Sequence, residues 1–224
     1  MSADQSPESE LRTTPLHHLH VELGARMVPF AGWEMPIQYE GVVAEHTWCR
    51  THAGLFDVAH MVVVELWGDD PAAALETVTP AGYTTLAEGR QRYGLLTNDG
   101  GGIIDDFMGS NWGDHFTLVV NASRASVDIA HLSERLAGAG VEVRAKPEIA
   151  LMALQGPEAA AVVIDLDPSL ADTVFLDARM AQLAGFQVAA FRAGYTGEDG
   201  FEIAVAVENA DALARALLAD ERVK

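Results

Sequence analysis

Apolar and polar positions alternate over short stretches of this chain and predict strands more clearly than helices. Phe116-Thr-Leu-Val-Val120 is a compact run of β-formers. Ile149-Ala-Leu-Met-Ala-Leu154 is another, closed by Gly156-Pro157. Gln187 to Phe191 and Phe201 to Val207 flank a turn-rich stretch, Gly194-Tyr-Thr-Gly-Glu-Asp-Gly200. In the second arm Phe201, Ile203, Val205 and Val207 share one face, because side chains alternate along a strand. The pattern predicts a β-hairpin whose long loop carries glycines suited to positive φ and to close backbone approach.

Helical spacing appears in three places. Ser123 is placed to cap a helix from Arg124 to Leu136, with Val127, Ala130, His131 and Leu132 near one face and Gly138 and Gly140 beyond its end. Pro157 suits the first turn of a helix through Ala159 to Ile164. Asn209 is placed to cap Ala210 to Leu218. No strand runs through a glycine-rich turn into a helix, as a doubly wound nucleotide-binding sheet requires. The expected class is α+β, antiparallel sheets with packed helices.

Composition narrows the picture. The chain has 224 residues, 49% hydrophobic and 21% charged, enough for a core in one large domain or two small ones. Residues 1–12 are the exception: Ser, Pro, Asp and Glu dominate up to Glu10 and nothing apolar repeats, which predicts a disordered tail. The formal net charge is −19, and Lys146 and Lys224 are the lysines. Nucleic-acid binding needs a basic face to displace counterions, and none is present. Cys49 is alone, so it has no internal disulfide partner. No basic segment precedes an apolar stretch, and no run approaches the ~20 apolar residues of a membrane span, which predicts a soluble cytoplasmic protein.

Two clusters can carry chemistry. In Gly100-Gly-Gly-Ile-Ile-Asp-Asp106 three glycines enter a short apolar run that ends in adjacent carboxylates. On a strand, Asp105 and Asp106 point to opposite faces, so one of them can enter a pocket. Beside apolar neighbours a carboxylate can serve as acid, base or electrostatic anchor. The same pattern also suits a hairpin loop with turn aspartates. The loop 194–200 adds Tyr195, Glu198 and Asp199. A ring beside a carboxylate can grip a flat heterocycle bearing N–H donors, or be an ordinary hairpin turn. His17 and His20 have helical spacing, but no carboxylate or Cys completes a metal-ligand pattern. No serine-nucleophile elbow, Walker loop or zinc pattern appears.

At these residues the chain resembles the glycine cleavage system T-protein (aminomethyltransferase) family. The resemblance runs from Thr14-Pro-Leu16 through Met27-Val-Pro-Phe-Ala-Gly-Trp-Glu-Met-Pro-Ile-Gln-Tyr39, Leu55-Phe-Asp-Val-Ala-His-Met61, Gly101-Gly-Ile-Ile-Asp-Asp106, Val119-Val-Asn-Ala122, Ala153-Leu-Gln-Gly-Pro157 and Gly194-Tyr-Thr-Gly-Glu-Asp-Gly-Phe-Glu-Ile203. It implies T-protein-like folate-binding domains over residues 13–224, as two intertwined α+β subdomains with boundaries near 55 and 145. It also implies a C-terminal β-barrel that is lacking here. The implied reaction moves a methylene group from the aminomethyl-dihydrolipoyl arm of the lipoylated H-protein to the co-substrate tetrahydrofolate, releasing ammonia. By motif position Asp106 matches the catalytic aspartate, with Asp105 its neighbour and rival. Glu198 matches the glutamate that binds the pterin, and Tyr195, Met61, Tyr93 and Asn121 match residues lining the folate pocket. Ala59 departs from the serine usual at its position. Three other readings stay open: a folate-dependent demethylase of an N-, S- or O-methyl substrate, a non-catalytic folate-binding fragment, or an accessory protein. The accessory relatives place a cysteine in the loop 194–200, and this loop has none.

Overall fold

The structure, a computed structural model, describes residues 11–224. The tail expected at 1–12 lies outside the described residues except for Leu11 and Arg12. Arg12 is ordered: its N–H donates to the Gly32 carbonyl (3.0 Å) and its guanidinium lies 4.3 Å from the Trp33 ring centroid.

The elements run α1 (His17–Glu22), β1 (Arg26–Phe30), β2 (Trp33–Gln38), α2 (Val42–Thr51), β3 (Gly54–Asp57), β4 (Val62–Trp67) and α3 (Pro71–Glu76). They continue with β5 (Arg90–Thr97), β6 (Ile103–Asn111), β7 (His115–Val120), α4 (Ala125–Leu136), β8 (Glu142–Ala145) and β9 (Ile149–Gln155). The last are α5 (Ala159–Leu166), β10 (Ala178–Leu183), β11 (Phe186–Phe191), β12 (Gly200–Ala206) and α6 (Ala210–Leu218). β1 and β2 form a hairpin, and two five-stranded sheets have the orders β10-β11-β12-β9-β3 and β5-β6-β7-β4-β8. The paired strands within them are antiparallel, as the α+β reading expects. The chain leaves the first sheet after β3, builds the whole second sheet, and returns at β9.

Each sheet buries one face under helices. Phe201, Ile203 and Val205 of β12 join Ala159, Val162 and Val163 of α5 and Leu213, Ala214 and Leu217 of α6 in one core. That spacing in α6 is one apolar stripe of a 3.6-residue helix. Leu66, Leu96, Phe107, Leu118 and Val120 of the second sheet pack with Leu75 of α3 and Leu132 and Leu136 of α4. The other faces of the two sheets meet through Val63, Val119, Leu151, Phe191 and Ala204. The molecule is therefore layered helix, sheet, sheet, helix, with the least helix-covered space at the sheet–sheet seam.

Several local expectations are corrected. Ser123 does not cap α4; Arg124 occupies the cap position and no side chain bonds the free N–H groups. The buried stripe of α4 is Ala125, Asp128, Leu132 and Leu136, while Val127 is exposed. Asn209 precedes α6 as expected but makes no capping hydrogen bond. The residues after α6 pair alongside β3: Ala53 N–H donates to the Arg222 carbonyl (3.0 Å) and Leu55 N–H to that of Lys224 (2.7 Å). Among the described residues no helix is long and apolar enough to cross a membrane.

Candidate active site between the sheets

The Gly-rich loop before β6 is a tight turn built around Asn98. Its Oδ1 accepts the N–H groups of Gly100 and Gly102, both at 2.9 Å, and Gly101 takes φ +76°. The register then skips one residue: Asp105 pairs with Leu96 and Ile103 with Thr97, leaving Ile104 as a bulge. Beyond the bulge, residues paired across the strands share a face. Asp105 shares that of Leu96 and Phe107, toward the helices, while Asp106 shares that of Leu95, toward the other sheet. The two rivals therefore separate by strand alternation.

Asp106 opens into a cavity of about 320 Å³ at the seam, near the lower end of small-molecule pockets. Met108 and Val119 line it from the second sheet, Leu151 and Glu202 from the first, and Tyr195 from the loop before β12. Val58, His60 and Met61 close it from the connection between β3 and β4. Asn121, just past β7, fixes the acid: its Nδ2 donates to Asp106 Oδ1 at 2.9 Å and to Asp105 Oδ1 at 3.1 Å. A second hollow of about 350 Å³ shares His60, Met61 and Asn121 with the first and is walled by Phe30, Asp105 and Arg124.

Of the residues singled out from the sequence, Asp106, Asn121, Met61 and Tyr195 line this one cavity. Tyr93 does not line it, although partial loss of water and then the Asp106 charge raise its hydroxyl pKa. Glu198 lies apart from these residues. It pairs with Arg50 (2.8 Å) and does not line the cavity. Its neighbour Asp199 is gripped by Arg192 through two contacts of 3.2 and 2.6 Å. Both turn acids are thus neutralised by arginines outside the cavity. The loop itself is pinned by buried Gln155, whose Nε2 donates to the Ala193 carbonyl (2.9 Å) and whose Oε1 accepts the Thr196 hydroxyl (2.9 Å).

The acid that does face the cavity is Glu202. With Phe201, Ile203 and Val205 committed to the helix-covered core, alternation turns Glu202 and Ala204 toward the seam. Burial raises its carboxyl pKa, since the charged form loses hydration there. The signal was present in the strand pattern, one residue from the positions assigned to the core. His60 was also missed as a site residue. Its ring meets the edge of Phe30 at 5.7 Å, its Nδ1 is buried without a partner, and burial lowers its pKa against the opposing pull of Asp57. Burial therefore favours the neutral imidazole at His60.

His17 and His20 serve the scaffold. His17 contacts Glu34 at 2.7 Å, while His20 bridges the Tyr39 hydroxyl (2.7 Å) and buried Asp57 (2.8 Å). Among the described residues no group of three or more His, Cys, Asp or Glu is arranged to hold a metal ion.

Two back-to-back antiparallel sheets with helices on their outer faces and an acid-lined cavity at their seam define an α+β domain. A family model described as the GCVT N-terminal domain matches residues 16–223, and the chain belongs to that family. It is 43% identical over 222 residues to the aminomethyltransferase of Deinococcus deserti, covering 96% of this chain and 61% of that protein. It is 40% identical to the mitochondrial aminomethyltransferase of Dictyostelium discoideum, covering 96% of this chain and 56% of that one. The crystal structure of glycine cleavage system aminomethyltransferase T from Bartonella henselae superimposes with a TM-score of 0.90 at 41% identity, covering 96% of this chain and 59% of that chain. Heterotetrameric sarcosine oxidase from Corynebacterium shares the fold at 20% identity and a TM-score of 0.60. The chain thus spans about three fifths of the length of the aminomethyltransferases it matches.

Proposed function

We propose that this chain carries the tetrahydrofolate site of a glycine cleavage aminomethyltransferase, which passes a methylene group from the aminomethyl-dihydrolipoyl arm of H-protein to tetrahydrofolate and releases ammonia. The observation that carries the reading is a seam cavity with Asp106 on one sheet, Glu202 on the other and Tyr195 at its edge. The relatives' names give the reaction class, and the residues present fit the ligand. A reduced pterin is flat, with an edge of N–H donors, and matches a carboxylate facing an aromatic ring.

Bound tetrahydrofolate supplies the nitrogens that accept the methylene. The chain's own residues position and stabilise. Glu202 accepts paired hydrogen bonds from the pterin edge, the role the sequence reading gave to Glu198. Tyr195 offers its ring face to the heterocycle. Asp106, held by Asn121, presents a fixed negative charge where positive charge develops at the transferring carbon, and in a cavity walled by Met108, Val119 and Leu151 that charge is weakly screened. Neutral His60 can accept a proton beside it.

Asp106→Asn keeps the shape and the hydrogen bond acceptor but removes the charge. Methylene transfer should drop by roughly 100-fold or more, while tetrahydrofolate affinity by calorimetry changes less than about threefold. Equal losses in turnover and affinity would make Asp106 a binding group and end its assigned role.

A further inference from the structure

The buried stripe of α4 contains an acid where helical packing calls for an apolar residue. Asp128 lies between Ala125 and Leu132 on the face that packs against the second sheet, and it has no exposed surface. Neither of its carboxyl oxygens has a hydrogen-bond donor within reach, and the same is true of Asp105 Oδ2. Three buried acceptor oxygens without a donor would be a severe cost if both groups were charged.

We propose that Asp128 is kept protonated and donates to Asp105, so that the chain Asp128–Asp105–Asn121 holds the Asp106 carboxylate in its orientation toward the cavity. Asp128 is a positioning residue: it touches no part of the cavity and acts through its neighbours. The proposal rests on Asp106 being the acid that works there.

One proton satisfies two of the three orphan oxygens. It sits on Asp128, satisfies an orphan oxygen on each carboxyl, and removes one of three negative charges gathered from Asp105, Asp106 and Asp128. Asp105 Oδ1 and Asp106 Oδ1 then share the Asn121 amide, at 3.1 and 2.9 Å. Of the charged groups facing Asp128, Asp105 and Asp106 from β6 favour keeping its proton, and Arg124 at the helix start opposes. Burial is the largest cause, and the group is pushed up to about 7. As the pH rises through that value the shared proton leaves, two buried anions repel, and the amide clamp on Asp106 loosens.

The test compares wild type, Asp128→Asn and Asp128→Ala. Below about pH 7 the wild type should show a protonated-carboxyl C=O band in its infrared spectrum that fades by about pH 8, and this band should vanish in Asp128→Asn. Methylene transfer by the wild type should lose at least tenfold in kcat over the same range, with KM changed less than about threefold. Asp128→Asn keeps a donor at every pH and should abolish that alkaline fall. Asp128→Ala lacks the donor and should run at every pH near the wild type's alkaline rate, at least tenfold below the wild-type rate under about pH 7. Should Asp128→Asn misfold, Asp105→Asn must also remove the band. A band or a pH profile unchanged by these substitutions overturns the proposal. Absence of tetrahydrofolate binding at any pH would defeat the function proposed above, yet leave the infrared result to decide the proton.

Discussion

Replacing Asp128 with Asn should flatten the dependence of stability on pH. In an unfolded chain this carboxyl loses its proton near 3.8, whereas in the folded protein it holds it to about 7. Between those values the folded state binds more protons, so stability is complete below about pH 4 and declines as the pH rises to about 7, then levels off. The gap is about three pH units, and at about 1.36 kcal/mol per unit the ceiling is about 4 kcal/mol. The asparagine removes the ionisation and still offers N–H donors to Asp105. At roughly 2–4 °C per kcal/mol for a domain of this size, the variant should gain up to about 8–16 °C over wild type at about pH 8 relative to about pH 4. Calorimetric melting at the two pH values measures it, and the other carboxylates cancel in the comparison. A difference in Tm between variant and wild type that is the same at both pH values would refute the reasoning.

Two further outcomes probe the scaffold and the site. Gly94→Ala would place a Cβ 2.5 Å from Phe107 Cζ and 2.7 Å from the Tyr83 hydroxyl, on the helix-covered face of the second sheet. The overpacking should cost about 1–3 kcal/mol in urea unfolding, and a neutral result would mean Tyr83 is free to move. Glu198→Ala should leave tetrahydrofolate affinity within about twofold of wild type and cost under about 1 kcal/mol of stability, the worth of a partly exposed ion pair with Arg50. A tenfold loss of affinity would return the pterin contact to Glu198.

Strands were legible where one face is dry. Phe201, Ile203 and Val205 alternate cleanly because every second side chain enters the same core, and the hairpin with β11 follows from the turn between. Helix ends were less legible. Ser123 and Asn209 have capping side chains, yet neither makes the bond, since residues that can cap also serve in turns. The face of α4 differs from the one the apolar spacing predicts, because an acid, Asp128, lies in its buried stripe with no exposed surface. Asp105 and Asp106 could not be told apart until the bulge at Ile104 fixed the strand phase. Glu198 matches the pterin position by its place in the loop motif, while its ion pair is with Arg50, 148 residues earlier. Such a pairing across the fold leaves no trace in local spacing.

Equilibrium binding of tetrahydrofolate to the wild type and to Glu202→Ala, titrated by calorimetry side by side, bears most directly on the seam cavity. The account predicts saturable one-to-one binding that weakens by roughly 5- to 150-fold in the variant, the loss of about 1–3 kcal/mol of charge-assisted hydrogen bonding. Binding of equal strength in both proteins, with the variant folded, would show that the ligand sits elsewhere.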